Sequence, residues 1–367
     1  MNITLIISAY FARQFIGGVL TILLPLIGIT LLFDTGELLR RAATKAEATF
    51  GVVLQMAMLR LPTLIEELVP FAILFGAMLA FWRLNKSNEM IVARAAGVSV
   101  WQFLTPPILI AGAIGLFMIT VFNPLASALT VRAEQLEDHY LRRQTSFLAL
   151  SGSGLWLRQV DSGKASFLRA EGVTKEQDTV RLGGVTVFQF AADNSFERRL
   201  DASAAYLHEG YWELDQVWVM QPDEPPYRRD ALQLDTTLTP SRIQNSFAPP
   251  KTLSFWELPA FIRVLEEAGF SAVPHRLHWH SMLASPLIAC VMVLLAAAFT
   301  VRPQQRKGNM LQSVVGGALT GFLLYTLNRV IAEIGGSAAI PVMLAAWTPA
   351  CVGLALGLAA LLHLEDG

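Results

Sequence analysis

The chain predicts an α-helical membrane protein with six transmembrane helices, three on each side of an inserted all-β domain. Three observations carry that prediction. Long apolar stretches come in two blocks of three, with about 150 mostly polar residues between them. Composition is 53% hydrophobic and only 16% charged, with a mean hydropathy of +0.47, far to the apolar side of soluble proteins. The intervening segment alternates apolar and polar residues with a period of two, as half-buried strands do.

A helix rises about 1.5 Å per residue, so a hydrocarbon layer about 30 Å thick needs ~20 apolar residues. Phe15 to Phe33 carries no charge; it is longer than a signal-peptide core, lacks a small-residue cleavage site and predicts a retained first helix. The second span is clean only from Leu68 to Trp82 and reaches full length by taking in Glu66 and Glu67. Ala95 to Val131 has no ionisable side chain and supplies the third span; Ser281 to Val301, Leu311 to Asn328 and Ile334 to Leu362 supply the last three. Cys290 and Cys351 both fall within spans, so they form no disulfide framework for the insert and are expected to be small buried hydrophobes. The domain limits are 1–131, with a short cytoplasmic helix near 87–97, then 132–275 for the β-domain and 276–367 for the second helical block.

Six spans place both termini on one side and the insert on the other. Near the short connections, Arg13, Arg83, Lys86, Arg94, Arg302, Arg306 and Lys307 lie on the terminal side, against Arg40, Arg41, Lys45, Arg60 and Arg329 opposite. The excess favours cytoplasmic termini. The basic residues on the outer side either meet an anionic ligand or are ordinary interface anchors. The net charge of −1 says nothing of partners, because position and not sum matters here.

In the insert, Gly154 to Arg158, Val185 to Phe190, Tyr211 to Leu214 and Val217 to Met220 carry the β-branched and aromatic residues of strands. Asp161-Ser162-Gly163, Gly183-Gly184, Asp193-Asn194 and Glu209-Gly210 predict turns, and Pro222, Pro225 and Pro226 a longer loop. Short strands without βαβ alternation point to an antiparallel sandwich, jelly roll or barrel. A helix is expected from Ser254 to Ala268, with Ser254 and Glu257 at capping-box spacing, Pro259 disturbing its first turn and Gly269 ending it.

The chemistry of hydrolysis is missing. Gly163-Lys164 is followed by Ala165 and lacks the glycine that a Walker A loop needs five residues earlier. Ser151-Gly152-Ser153-Gly154 is a turn, and no Ser/His/Asp set can be assembled. His275, His278 and His280 have H-x-x-H-x-H spacing, but no Cys or carboxylate joins them, so interfacial histidines beside Trp279 are the plainer reading and no metal is assigned. Between spans two and three, Ser87 is placed to cap a short helix, Glu89 suits its positive end and Gly97 is placed to terminate it. By itself this is either a contact helix or a simple connector.

The run from Ser87 to Ser99, with its S-x-E-x-x-x-x-R-A-x-G-V-S pattern, resembles the coupling helix of the lipopolysaccharide-export permease family, LptF/LptG. So do Leu277-His278-Trp279-His280 opening span four, Val301-Arg302-Pro303 closing it, and Gly316-Gly317, Gly321-Phe322 and Leu324-Tyr325 in span five. The short ending Leu364 to Gly367 and the span-four and span-five motifs look more like the LptG branch. The resemblance covers essentially the whole chain.

That resemblance implies a non-enzymatic permease subunit of an ABC exporter in the bacterial inner membrane, extracting lipopolysaccharide toward a periplasmic bridge. It implies a periplasmic jelly roll, a homologous LptF-type partner, a single-span LptC-type jelly-roll protein and a cytoplasmic LptB-type ATPase dimer. That dimer would use ATP and Mg; no cofactor or nucleic acid belongs to this chain. Carried onto this sequence, Glu89, Met90, Ile91 and Arg94 would contact the ATPase. Arg40 and Arg41 would meet phosphates of lipid A, with Arg142, Arg143 and Lys45 assisting. The basic residue often found one to two turns before that pair is here Phe33-Asp34, which suggests a lipid A with fewer phosphates or compensation by Lys45 or Arg60. Gly317, Gly321, Tyr325 and Arg329 would belong to a gate where span five faces span one of the partner subunit, although the Gly317/Gly321 and Gly353/Gly357 spacings equally serve plain helix packing. Glu66, Glu67 and the Arg329/Glu333 pair are further ionisable groups at span ends. A mechanotransmitting permease or sensor whose insert binds a protein is the alternative; Val187, Phe190, Trp212 and Leu214 favour an apolar lining instead.

Overall fold

A computed structural model describes residues 2–45, 48–95, 97, 99–142, 147–151, 154–161, 164–176, 179–191, 195–222, 224–236, 248–300, 310–336 and 340–365. In chain order the helices are α1 (Asn2–Ala42), α2 (Phe50–Lys86), α3 (Glu89–Ala95), α4 (Val100–Phe117) and α5 (Asn123–Glu137), with π-helical turns at Met118–Phe122 and Asp138–Arg142. Seven strands follow: β1 (Phe147–Ser151), β2 (Gly154–Asp161), β3 (Lys164–Glu176), β4 (Thr179–Phe190), β5 (Phe196–His208), β6 (Tyr211–Gln221) and β7 (Glu224–Asp235). The chain continues through α6 (Leu258–Glu267), α7 (Val273–Thr300), α8 (Met310–Gly336) and α9 (Val342–Glu365). Two compact units result: Met1–Glu137 with Ser254–Trp256 and Val273–Gly367, and Asp138–Leu253 with Glu257–Ala272.

Among the described residues, six stretches are long and apolar enough to cross a membrane: Ser8–Ala42, Phe50–Lys86, Val100–Leu141, Val273–Thr300, Val315–Gly336 and Val342–His363. The second is one continuous helix that absorbs Glu66 and Glu67. The sixth starts at Val342, because α8 runs on through Ile334 to Gly336. At about 1.5 Å per residue α1 is roughly 60 Å long, twice a hydrocarbon layer, so its last turns project beyond the lipid. Phe11, Phe15 and Val19 of α1 share one buried cluster with Ile73, Leu74 and Phe81 of α2, Phe103 and Leu104 of α4, and Val291 to Ala297 of α7. Small residues permit the closest approaches. A Cβ added to Gly115 of α4 would lie 2.6 Å from Pro286 Cα of α7. Cys290 is half-buried and donates to Ile108 O at 3.5 Å, whereas Cys351 is exposed and so is not the buried hydrophobe expected.

The π-helical turn in the third span has a local use. Thr120 O accepts from Trp256 Nε1 at 3.2 Å, and the buried Asn123 Oδ1 accepts from Phe255 N at 2.8 Å. Both acceptors lie at or beside the π-helical turn, a feature common where a helix meets a functional contact.

The second unit corrects the jelly-roll expectation. Among the described residues, seven strands form one antiparallel sheet in the order β1-β2-β3-β4-β5-β6-β7; each pairs only with its chain neighbours, and β1 shares no ladder with β7. A jelly roll needs pairings between strands distant in sequence, arranged in two sheets. Tight hairpins prevent that here: His208 pairs Tyr211 across Glu209-Gly210, where Gly210 has φ +90°, and Gln221 pairs Glu224. The expected loop at Pro222 to Pro226 is therefore part of a hairpin, with Pro225 and Pro226 on the edge strand β7, where a missing N–H is tolerated.

Gly183-Gly184 also differs from expectation, lying inside β4 instead of in a turn. The ladders skip Glu171/Gly184, Gly184/Ser203, Ser203/Gln216 and Gln216/Asp230, a row crossing β3 to β7, and between β5 and β6 they skip the adjoining Ala202/Val217 as well. Gly184 and Gln216 have φ of +59° and +51°. On either side lie two buried rows, Ala170, Val185, Ala202 and Val217, then Val173, Leu182, Ala205 and Leu214. Three residues separate the rows on every strand, an odd step that would put them on opposite faces of a regular sheet. Both rows are nonetheless buried, with the irregular row and its left-handed Gly184 and Gln216 between them. Gln159, buried in β2, donates to Asp235 O at 2.9 Å and accepts from Thr236 Oγ1 at 2.7 Å, linking β2 to the end of β7 through one side chain.

The helix expected from Ser254 begins four residues later. Pro259 is tolerated only in the first turn, which sets the start at Leu258 with Glu257 as N-cap; Gly269, at φ +76°, ends it as expected.

Candidate functional site

The outer end of α1 carries Asp34, Glu37, Arg40 and Arg41, spaced so that Glu37 lies one turn before both arginines. Arg40 donates through Nε and Nη2 to the two oxygens of Glu37, each at 2.8 Å. Arg41 Nε donates to Glu37 Oε1 at 2.8 Å, and Arg41 Nη1 to Glu137 Oε1 at 3.4 Å. Glu137 ends α5, and its side chain is 9% exposed, against 76% for Arg40. Asp34, 13% exposed, pairs with Arg60 Nη1 of α2 at 3.3 Å. The Thr63 and Thr130 hydroxyls join α2 to α5 at 2.6 Å. Three guanidinium groups therefore meet three carboxylates, and the helix C-terminus adds a field that favours the cations of its last turn.

Of the expected substrate residues, Arg40 and Arg41 thus stand together. Lys45 lies just past α1, half-buried, with its backbone N donating to Ala42 O at 2.8 Å. Arg142 closes the π-helical turn of the other unit; its side chain and the whole of Arg143 lie outside the described residues. Sequence reasoning missed Glu37 and Glu137 as counter-ions. The spacing of Glu37 to the arginines held the first signal, but nothing in the sequence links Arg41 to a residue 96 positions away.

On the side of the termini, α3 is bounded by Asn88 at φ +59° and Gly97 at φ +84°. Glu89 sits in its first turn as expected. Ser87 caps the wrong end for the sequence reading: its hydroxyl bonds Arg83 O and Leu84 O, closing α2. Met90 is 4% exposed and joins the main helical core, while Val92, which the sequence reading passed over, is 67% exposed. The side chains of Ile91 and Arg94 lie outside the described residues. After Gly97 a capping box opens α4, with Gln102 N donating to Ser99 Oγ at 3.3 Å and Ser99 N to Gln102 Oε1 at 3.2 Å.

Three of the four gate candidates of α8, Gly317, Gly321 and Tyr325, fall on a stripe against α2 of the same chain. A Cβ on Gly317 would meet Met78 at 2.5 Å, one on Gly321 would meet Leu74, and Tyr325 packs its ring 5.1 Å from Phe71. Arg329 and Glu333 are exposed, as are Leu319, Phe322, Leu323 and Val330. Gly353 and Gly357 of α9 face Val291 and Leu294 of α7. His275 is buried at the start of α7, and among the described residues no group of three potential metal ligands comes together.

The profile of the lipopolysaccharide export system permease LptF/LptG matches residues 9–363. The chain is 24% identical over 360 residues to the lipopolysaccharide export system permease protein LptG of Escherichia coli strain K12, covering 94% of each. It is 23% identical over 357 residues to LptG of Haemophilus influenzae, again covering 94% of each. With six spans and a match along nearly its full length, the chain belongs to the LptF/LptG lipopolysaccharide export permease family, as a multi-pass inner-membrane transport subunit and not an enzyme.

Proposed function

We propose that this chain is one of two permease subunits of an ABC exporter that draws lipopolysaccharide from the inner membrane and hands it to a periplasmic bridge. The observation that carries the reading is the charged cluster at the outer end of α1, in a chain matched by the family profile from residue 9 to 363. Arginine's planar fork suits phosphate, and Arg40 and Arg41 offer two such forks beyond the hydrocarbon layer. The two buried apolar rows of the β-sheet give acyl chains a lining of matching chemistry.

Only 17% of the apolar window of span one, and 17% of that of span five, is buried within the chain, against 56% for span four. Such unburied helices suit a homologous LptF-type subunit and a lipid-filled space between the two. ATP and Mg would be used by an LptB-type ATPase dimer, which Glu89 and the exposed Val92 of α3 would contact. An LptC-type protein would receive the lipid.

The test is copurification of the complex with its endogenous lipid, identified by mass spectrometry. Arg40→Glu with Arg41→Glu should lower bound lipopolysaccharide about tenfold while assembly is retained, the effect of losing ~1.4 kcal/mol of binding. Unchanged loading in an intact complex refutes the site.

A further inference from the structure

We propose that Glu37 and Glu137 make this site selective for phosphomonoester headgroups over the phosphodiesters of ordinary membrane phospholipids, by acting as resting counter-ions that an incoming anion must displace. The proposal rests on the reading of Arg40 and Arg41 as a phosphate site.

The fork of Arg40 that would take phosphate is already filled, with Nε and Nη2 donating to the two oxygens of Glu37 at 2.8 Å each. Arg41 is divided between Glu37 at 2.8 Å and Glu137 at 3.4 Å. An anion added without displacing these carboxylates would sit beside like charge. Entry is therefore an exchange, and its balance depends on what is exchanged. A phosphodiester carries one negative charge, the same as the carboxylate it replaces, so it gains little. A phosphomonoester carries about −1.5 to −2 at neutral pH and offers three acceptor oxygens, so it wins the exchange. The permease is surrounded by phosphodiester lipids, against which two free arginines would discriminate poorly.

Glu37 and Glu137 differ in consequence. Glu37 is on the same helix as both arginines, so displacing it alters no contact between helices. Glu137 lies 96 residues away at the end of α5, its side chain only 9% exposed. Its displacement detaches the end of α1 from α5, while Asp34 and Arg60 still hold α1 to α2 at 3.3 Å. The same carboxylate thus filters the headgroup and reports its arrival.

The experiment uses the full permease complex in nanodiscs, offered bisphosphorylated lipid A and phosphatidylglycerol in competition, with retained lipid measured by mass spectrometry. The double variant Glu37→Gln, Glu137→Gln should lower the ratio of lipid A to phosphatidylglycerol about tenfold, mainly by retaining more phosphatidylglycerol. Glu37→Gln alone, at an exposed position that leaves folding intact, should lower it about threefold, and Glu137→Asp should restore most of the discrimination lost in Glu137→Gln. An unchanged ratio, or weaker lipid A retention in the Gln variants, overturns the filter while leaving the arginine site standing. If Arg40→Gln with Arg41→Gln leaves lipid A retention unaltered, the site itself falls, and the filter with it.

Discussion

Gly18 and Gly76 bring α1 and α2 together backbone against backbone: a Cβ on Gly18 would meet the Gly76 carbonyl, and one on Gly76 would lie 2.5 Å from Val19 Cα. Backbone cannot rotate away as a side chain can. Gly76→Ala should therefore destabilise the permease by about 1–3 kcal/mol, the usual cost of overpacking, read as a fall in melting temperature of the purified complex. A melting curve that superimposes on the parent's would mean that the crossing is looser than described.

The crossing of α8 on α2 should respond differently, because Gly321 faces the movable end of Leu74. Gly321→Ala is expected to cost less than Gly76→Ala. Gly321→Leu should be clearly destabilising and partly rescued by Leu74→Ala, giving a coupling of about 0.5–3 kcal/mol in a double-mutant cycle. Strictly additive effects would separate the two residues.

On α3, Glu89→Lys reverses a charge at the first turn of the helix expected to meet the ATPase. Recovery of the ATPase in a pull-down should drop roughly tenfold or more, equivalent to ~1.4 kcal/mol. Met90 gives the contrast. Its side chain belongs to the chain's own core, so Met90→Ala should lower stability by about 2–5 kcal/mol, whatever its effect on the ATPase. Full ATPase recovery with Glu89→Lys would remove that residue from the interface.

Across the β-sheet, Gly184→Val should be among the most damaging changes, since φ is +59° there and a Cβ would lie 2.8 Å from the Glu171 carboxylate. Gln216→Gly, at φ +51°, should be neutral or stabilising because it relieves a left-handed conformation costing about 1–2 kcal/mol. Protease resistance of the inserted domain in the full-length protein reads both. Equal behaviour of the two variants would show that the irregular row is not a backbone requirement.

The number of spans, their grouping and the presence of an all-β insert were legible because each follows from one-dimensional quantities: the length of an apolar run, the period of hydrophobic alternation, and the position of Gly97, Gly210 and Gly269 at chain reversals. The arginine pair was legible as well, since charges at the end of a long apolar helix stand out. Gly183-Gly184 was misread because two glycines serve a turn or a strand irregularity equally well, and only the neighbouring strands decide which. The capping-box spacing of Ser254 and Glu257 was similarly ambiguous, and Pro259 moved the helix start past it.

Sequence alone determined that this protein crosses a membrane six times and carries basic residues at the outer end of its first span, because hydrophobic transfer and helix geometry act on the chain locally. Tertiary structure alone decided that the strands form an open meander and that Met90 turns inward. It also decided that Arg41 shares its charge with Glu137. Those outcomes depend on which distant segments pack together, a choice made by the summed contacts of the whole chain and by no single stretch of it.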